Sequence, residues 1–191
     1  MPPGWDQIPL RQGTGDAVKK ILDKAFSRLG PDLPRDRVTP YRKELERRLG
    51  GLISQARSNG GFCLYLPVEH AHQVAMGASF VVSQGSLGSA PEIDPAEILS
   101  RLISEQEEAE PVTVDGATAA RIERVAPPDP ETEIEQGSRR VDYVIPVPGQ
   151  HGQWLVVAFS TLGGGDPEDE YARLQAELFD AIMGTFRWAK A

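Results

Sequence analysis

Cysteine is almost absent: Cys63 is the only one in 191 residues. No internal disulfide can form, which excludes a disulfide-stapled scaffold. The setting Phe62-Cys63-Leu64-Tyr65-Leu66 reads as a buried strand in which the thiol is a small hydrophobe. With no basic group or helix start beside it, the setting does not favour a nucleophile. Histidine is also scarce, with three residues, so a Ser-His-Asp or Cys-His device has little to draw on. Long apolar runs are missing. The longest, Trp154 to Phe159, falls far short of the ~18 residues that a membrane helix requires. The opening Met-Pro-Pro-Gly-Trp-Asp has neither a basic nor an apolar stretch. It reads as no signal peptide and predicts a cytoplasmic protein.

The chain is 40% hydrophobic, 25% charged and 7% aromatic. Its length suits one domain, large enough to bury a core without a metal or a disulfide. We read residues 1–191 as a single α+β domain, with 1–58 a mainly helical N-terminal portion. Gly and Pro are frequent, 19 and 16 residues, which predicts many loops.

Net charge is −8 but uneven. Residues 1–58 carry 12 basic and 7 acidic side chains, whereas 92–135 carry 13 acidic and 3 basic. The overall acidity argues against nucleic acid as the main partner, because phosphate contacts need a basic face.

Apolar spacing gives the elements. Pro2–Leu10 reads as an edge strand. Residues 16–29 read as a helix, with Val18, Ile21, Leu22, Ala25, Phe26 and Leu29 at three- and four-residue steps. Thr39-Pro40 predicts the start of a second helix, striped by Tyr41, Leu45, Leu49, Leu52, Ile53 and Ala56. Gly50-Gly51 in its middle implies a kink or a close backbone approach. Phe62–Val68 and Val74–Val82 suit a hairpin, with Ser83–Pro91 a loop.

Asp94-Pro95-Ala96-Glu97 matches a capping box and predicts a short helix, followed by a solvated acidic tail over Glu105–Glu110. Val112–Val114, the turn Asp115-Gly116 and Ala117–Val125 suit a second hairpin, with Ala119, Ile122 and Val125 among the apolar positions of its second strand. Ala126–Gly137 reads as an exposed loop. Arg139–Val147 and Gln153–Leu162 form the clearest hairpin, its second strand central. Asp166-Pro167 predicts the start of the last helix, with Asp166 as cap. Tyr171, Leu174, Leu178, Ile182, Thr185 and Phe186 are expected on its buried face. The sum is an α+β fold: a mostly antiparallel sheet covered by N-terminal helices and a long C-terminal helix.

Four pieces of the chain carry a resemblance: Val114-Asp115-Gly116-Ala117, Tyr143-Val144-Ile145-Pro146-Val147, Leu155 to Ser160, and Ile182 to Trp188. In this order, with a short acidic helix before them, the segment from about Ala78 to Trp188 resembles the Mog1/PsbP-like α/β/α sandwich superfamily. The two helices between Asp16 and Ser58 depart from that pattern. The resemblance implies a binding protein without catalysis of its own. It carries over no functional residue, since fold does not fix function.

Chemical motifs are thin. Gly163-Gly164-Gly165 sits between a strand and a helix, but no Lys-Ser/Thr follows and Asp166, Glu168 and Asp169 would repel an anion. Glu69, His70 and His72 are the one histidine cluster, too few ligands from one short segment for a metal site. Gly85-Ser86-Leu87-Gly88-Ser89 is out of register for a nucleophile elbow. No catalytic residue, cofactor or metal is expected. The expected function is a non-enzymatic interaction module that binds another protein. A small-ligand or lipid carrier with a pocket between sheet and helices is the alternative, and an enzyme of unrecognised type the third. The candidate interaction surface is the basic side of the second helix, Arg42, Lys43, Arg47 and Arg48, facing an acidic partner.

Overall fold

A computed structural model describes residues 4–27, 35–68, 77–86, 93–128, 137–161 and 166–189. The chain runs β1 (Trp5–Pro9), α1 (Thr14–Ser27), α2 (Arg35–Ser58), β2 (Gly61–Pro67), β3 (Ala78–Ser86), α3 (Pro95–Glu105), β4 (Ala109–Val114), β5 (Ala117–Ala126), β6 (Ser138–Pro146), β7 (Gln153–Thr161) and α4 (Glu170–Gly184). The strands form one seven-stranded sheet in the order β1-β2-β3-β7-β6-β5-β4, with every pairing antiparallel. This is the expected mixture of helices and antiparallel sheet, with β7 at its centre. Both edge strands carry a proline, Pro9 and Pro111, which interrupts the row of donors that a neighbouring chain could pair with.

Alternation along the strands divides the sheet into two faces. On one, Phe80, Val141, Tyr143, Ile145, Val157 and Phe159 pack with Ala176, Phe179 and Met183 of α4. Phe179 stacks on Phe159 (centroids 4.9 Å apart) and meets Phe80 and Tyr143 at 5.5 and 5.7 Å. On the other face, α1 and α2 cover β1 and β2 through Ile8, Val18, Ile21, Leu22, Leu49, Ile53 and Leu64. At the far end of that face α3 covers β4 and β5, where Leu99 packs with Ala120 and Trp154.

The β4–β5 turn places Asp115 at φ 47° and Gly116 at φ 80°, the left-handed pair that a two-residue hairpin requires. Asp94 caps α3 by accepting from Ala96 N at 2.9 Å. Arg57, in the last turn of α2, donates to Leu10 O and to Thr14 Oγ1, fastening the β1–α1 junction.

Several expectations change. α2 begins at Arg35, a turn before Thr39, and carries Pro40 inside it. Pro40 has no N–H for the carbonyl four residues back, so the helix forgoes one bond in its second turn. Tyr41 does not join the buried stripe: it is 59% exposed, edge-on to Phe26. Gly50 and Gly51 lie in continuous helix with open space where a Cβ would stand, so no backbone approaches them. β3 continues to Ser86 because Ser83–Ser86 pair with β7. Glu110 belongs to strand β4, where it pairs with Arg121 at 3.0 Å, so the acidic tail ends sooner. Val125 is 42% exposed on β5. α4 is capped by Asp169, whose carboxylate accepts from Ala172 N at 2.7 Å, and not by Asp166.

The largest correction concerns the face that α4 buries. Ala172, Gln175, Ala176, Phe179 and Met183 point at the sheet, while Tyr171, Leu174 and Leu178 are exposed. Two alanines let the helix lie close to the strands, and Phe179 fills the centre.

Candidate functional site

Two surfaces stand out, one on each face of the sheet. The first is the flank of α4. Arg121 of β5 holds Asp180 on one side of the helix, with Nε and Nη2 each 2.9 Å from a carboxylate oxygen. At 100° per residue, Tyr171 and Leu178 lie on the opposite side. In the strand order that side faces β3, β2 and β1. There Tyr65 stacks on Phe80 with centroids 4.6 Å apart, and Trp5 meets the same ring at 5.3 Å. Trp5 and Tyr65 are half-buried and extend the aromatic floor past the helix. Exposed Tyr171, Leu174 and Leu178 thus run beside part of the sheet whose own helices, α1 and α2, lie on the other face. Gln175, on the buried side of α4, is 5% exposed, and its Nε2 has no hydrogen-bond partner among the described residues.

The second surface is a groove of about 470 Å³ on the opposite face. α1 and α2 cover one end of that face and α3 the other, with the middle strands between them. Ser79, Val81 and Ser83 of β3, Val156, Ala158 and Ser160 of β7, Arg140 and Asp142 of β6, and Arg124 of β5 line it. Leu52, Gln55, Ala56 and Asn59 of α2 form a wall. Arg124 pairs with Asp142 at 2.8 Å. Burial holds the Asp142 carboxyl above its ordinary value, against the pull of Arg124 and Arg140.

The basic positions of α2 are spread out. Arg42 turns toward α1, bonding Asp23 at 2.6 Å and lying over the Phe26 ring at 5.7 Å. Arg47 and Arg48 share Glu44, at 2.8 and 2.7 Å, and these hydrogen bonds lower the Glu44 carboxyl to about 2. Lys43 is exposed. Cys63 is buried and accepts from Gln7 Nε2 at 2.9 Å, as suits the structural role read from its strand. The Glu69, His70 and His72 cluster and Gly163-Gly164-Gly165 lie outside the described residues, as do Leu87, Gly88 and Ser89. Gly85 and Ser86 are in β3.

Among the described residues, no group of three or more His, Cys, Asp or Glu side chains could hold a metal ion. No helix there is long and apolar enough to cross a membrane. The chain matches no protein-family model and no curated protein.

A pocket between sheet and helices is the alternative that the sequence offers, but the residues lining this groove do not stand out there, because its polar side chains come from four separate strands. The available signal was the side of β6 and β7 left over once their apolar residues are assigned: Arg140 and Asp142 in one, Ala158 and Ser160 in the other.

Proposed function

We propose that this chain is a non-enzymatic protein-interaction module with a Mog1/PsbP-like sandwich fold. One observation carries the functional reading: α4 turns Tyr171, Leu174 and Leu178 outward, at 42%, 53% and 37% exposure, beside a half-buried aromatic floor. Exposed apolar side chains grouped on one flank are a feature of protein-binding surfaces. Aromatic anchors such as Trp5 and Tyr65 are typical of the residues that dominate protein interfaces. The sandwich assignment is supported by the helices on both faces of an antiparallel sheet, the Asp115-Gly116 turn and the terminal helix. In this reading Arg42, Lys43, Arg47 and Arg48 steer an acidic partner, with Asp23 and Glu44 already offsetting part of their charge.

The test is affinity capture by the wild type, a Leu174→Asp/Leu178→Asp variant and an Arg42/Lys43/Arg47/Arg48→Glu variant, at low and moderate salt. The aspartate variant keeps Phe179 and the buried face intact. It is expected to lose the captured partner at both salt levels, and the charge variant mainly at low salt. The same partner retained by the aspartate variant rules out the α4 flank as the interface.

A further inference from the structure

The groove has a charge arrangement that the fold does not need. Arg124 and Arg140 stand directly opposite each other across the β5–β6 ladder, both on the groove side. Like charges in that relation destabilise a sheet. Among the described residues one carboxylate serves the two: Asp142 pairs with Arg124, and the Arg140 guanidinium bonds Ser138 Oγ through Nε at 3.2 Å. Among the described residues, the lip of the groove therefore carries one cation more than its acids match.

The rest of the floor is ordered in rows set by strand register. Arg140, Ser160 and Ser79 make one row across β6, β7 and β3. Asp142, Ala158 and Val81 make the next, and Val144, Val156 and Ser83 the third. Guanidinium and hydroxyl groups thus occupy one end, where the Ser160 hydroxyl also donates to Thr161 O at 3.2 Å. A strip of Val81, Ala158 and Val156 leads away from them, beneath Leu52 and Ala56 of α2. The volume is in the range of small-molecule pockets, which combine apolar walls with a few placed polar groups. A planar guanidinium fork suits carboxylate and phosphate oxygens alike.

We propose that this groove binds a small amphiphilic anion: a carboxylate or phosphate head between Arg140 and Arg124, with its aliphatic chain along Val81, Ala158 and Val156. Asp142 keeps Arg124 oriented, and the Ser79 and Ser160 hydroxyls complete the head-group end. The site lies on the face opposite the α4 flank, so it stands or falls separately from the protein interface.

Isothermal titration with decanoate, decyl phosphate and decyltrimethylammonium, each below its micelle concentration, tests it. Decanoate, decyl phosphate or both are expected to saturate at one per chain, and the cation of equal chain length is not. The tighter of the two anions identifies the head group. Arg140→Gln should weaken the anion by about tenfold or more, the usual worth of a charge-assisted hydrogen bond. Ala158→Leu fills the floor and should weaken it too with the arginines intact. It carries the test if Arg140→Gln does not fold. Leu174→Asp/Leu178→Asp should leave the affinity unchanged. The proposal is overturned by no saturable binding of either anion, by equal binding of the cation, by unchanged affinity in the folded groove variants, or by loss in the α4 variant.

Discussion

Arg121 and Asp180 join the fifth strand to the last helix by a two-pronged ion pair, and Tyr143 Oη adds a third bond to the same carboxylate at 2.8 Å. The Arg121 side chain is only 13% exposed and also contacts Glu110 and Glu123. Removing it leaves three carboxylates without their common cation. Arg121→Met is expected to cost about 2 kcal/mol in urea unfolding, between an exposed pair at ~0–1 and a buried one at ~3–5. Asp180→Asn keeps an acceptor for Tyr143 and should cost less. Equal losses would mean that Arg121 acts on stability through Asp180 alone, its contacts with Glu110 and Glu123 contributing nothing.

Acid should weaken the same network through Glu123. Burial pushes the Glu123 carboxyl up, but hydrogen bonds from Arg121 and Arg139 outweigh it and hold the group below its ordinary 4.5. A carboxyl lowered in the folded state adds stability above its unfolded pKa and loses it as pH falls through the folded value. Wild type should therefore exceed Glu123→Gln in urea stability near neutral pH. The gap should close below about pH 4. A gap that widened toward acid would contradict the sign.

The orientation of α4 can be checked with adjacent residues. Phe179 is 1% exposed and touches three aromatic rings, so Phe179→Ala should cost about 3–5 kcal/mol. Leu178 is 37% exposed, and Leu178→Ala should cost below about 1 kcal/mol. Urea midpoints in the reverse order would return the helix to the orientation expected from its sequence.

Two glycines separate helix preference from packing. A Cβ on Gly50 would meet open space, so Gly50→Ala should gain about 0.5–1 kcal/mol, seen as a higher Tm. A Cβ on Gly61 would lie 2.6 Å from Ala56 O, with Leu10 and Val81 side chains at 3.0 Å. Gly61→Ala should lower the Tm, since overpacking costs about 1–3 kcal/mol. A neutral Gly61→Ala would mean that the α2–β2 junction yields easily.

The hairpins were legible because they are local: alternation in Val141, Tyr143 and Ile145 sets a face, and Asp115-Gly116 sets a turn. The inward side of α4 was not, because large apolar residues stood out where small ones make the contact. Tyr171, Leu174 and Leu178 outweighed Ala172 and Ala176 in the sequence pattern, yet alanine is what permits close approach to a sheet. Thr39-Pro40 has the form of a helix start but lies within a helix already under way. The arginine pair of the groove depended on the register of β5 against β6 across a connection longer than a tight turn.

The order of the strands has a kinetic consequence. β4 to β7 join in sequence, each to the next, whereas β3 meets β7 only after the chain has passed through α3, β4, β5 and β6. Closing that long loop costs more entropy than turning a hairpin, and non-local pairing is the slower event. The four-stranded meander should form first and present β7 as a template on which β3 zips. In refolding experiments, Ile145→Val, inside the meander, should then slow folding, and Phe80→Leu, at the seam, should chiefly hasten unfolding. Until the seam closes, β7 has an unpaired side, and that interval is when the chain is most prone to pair with another copy of itself.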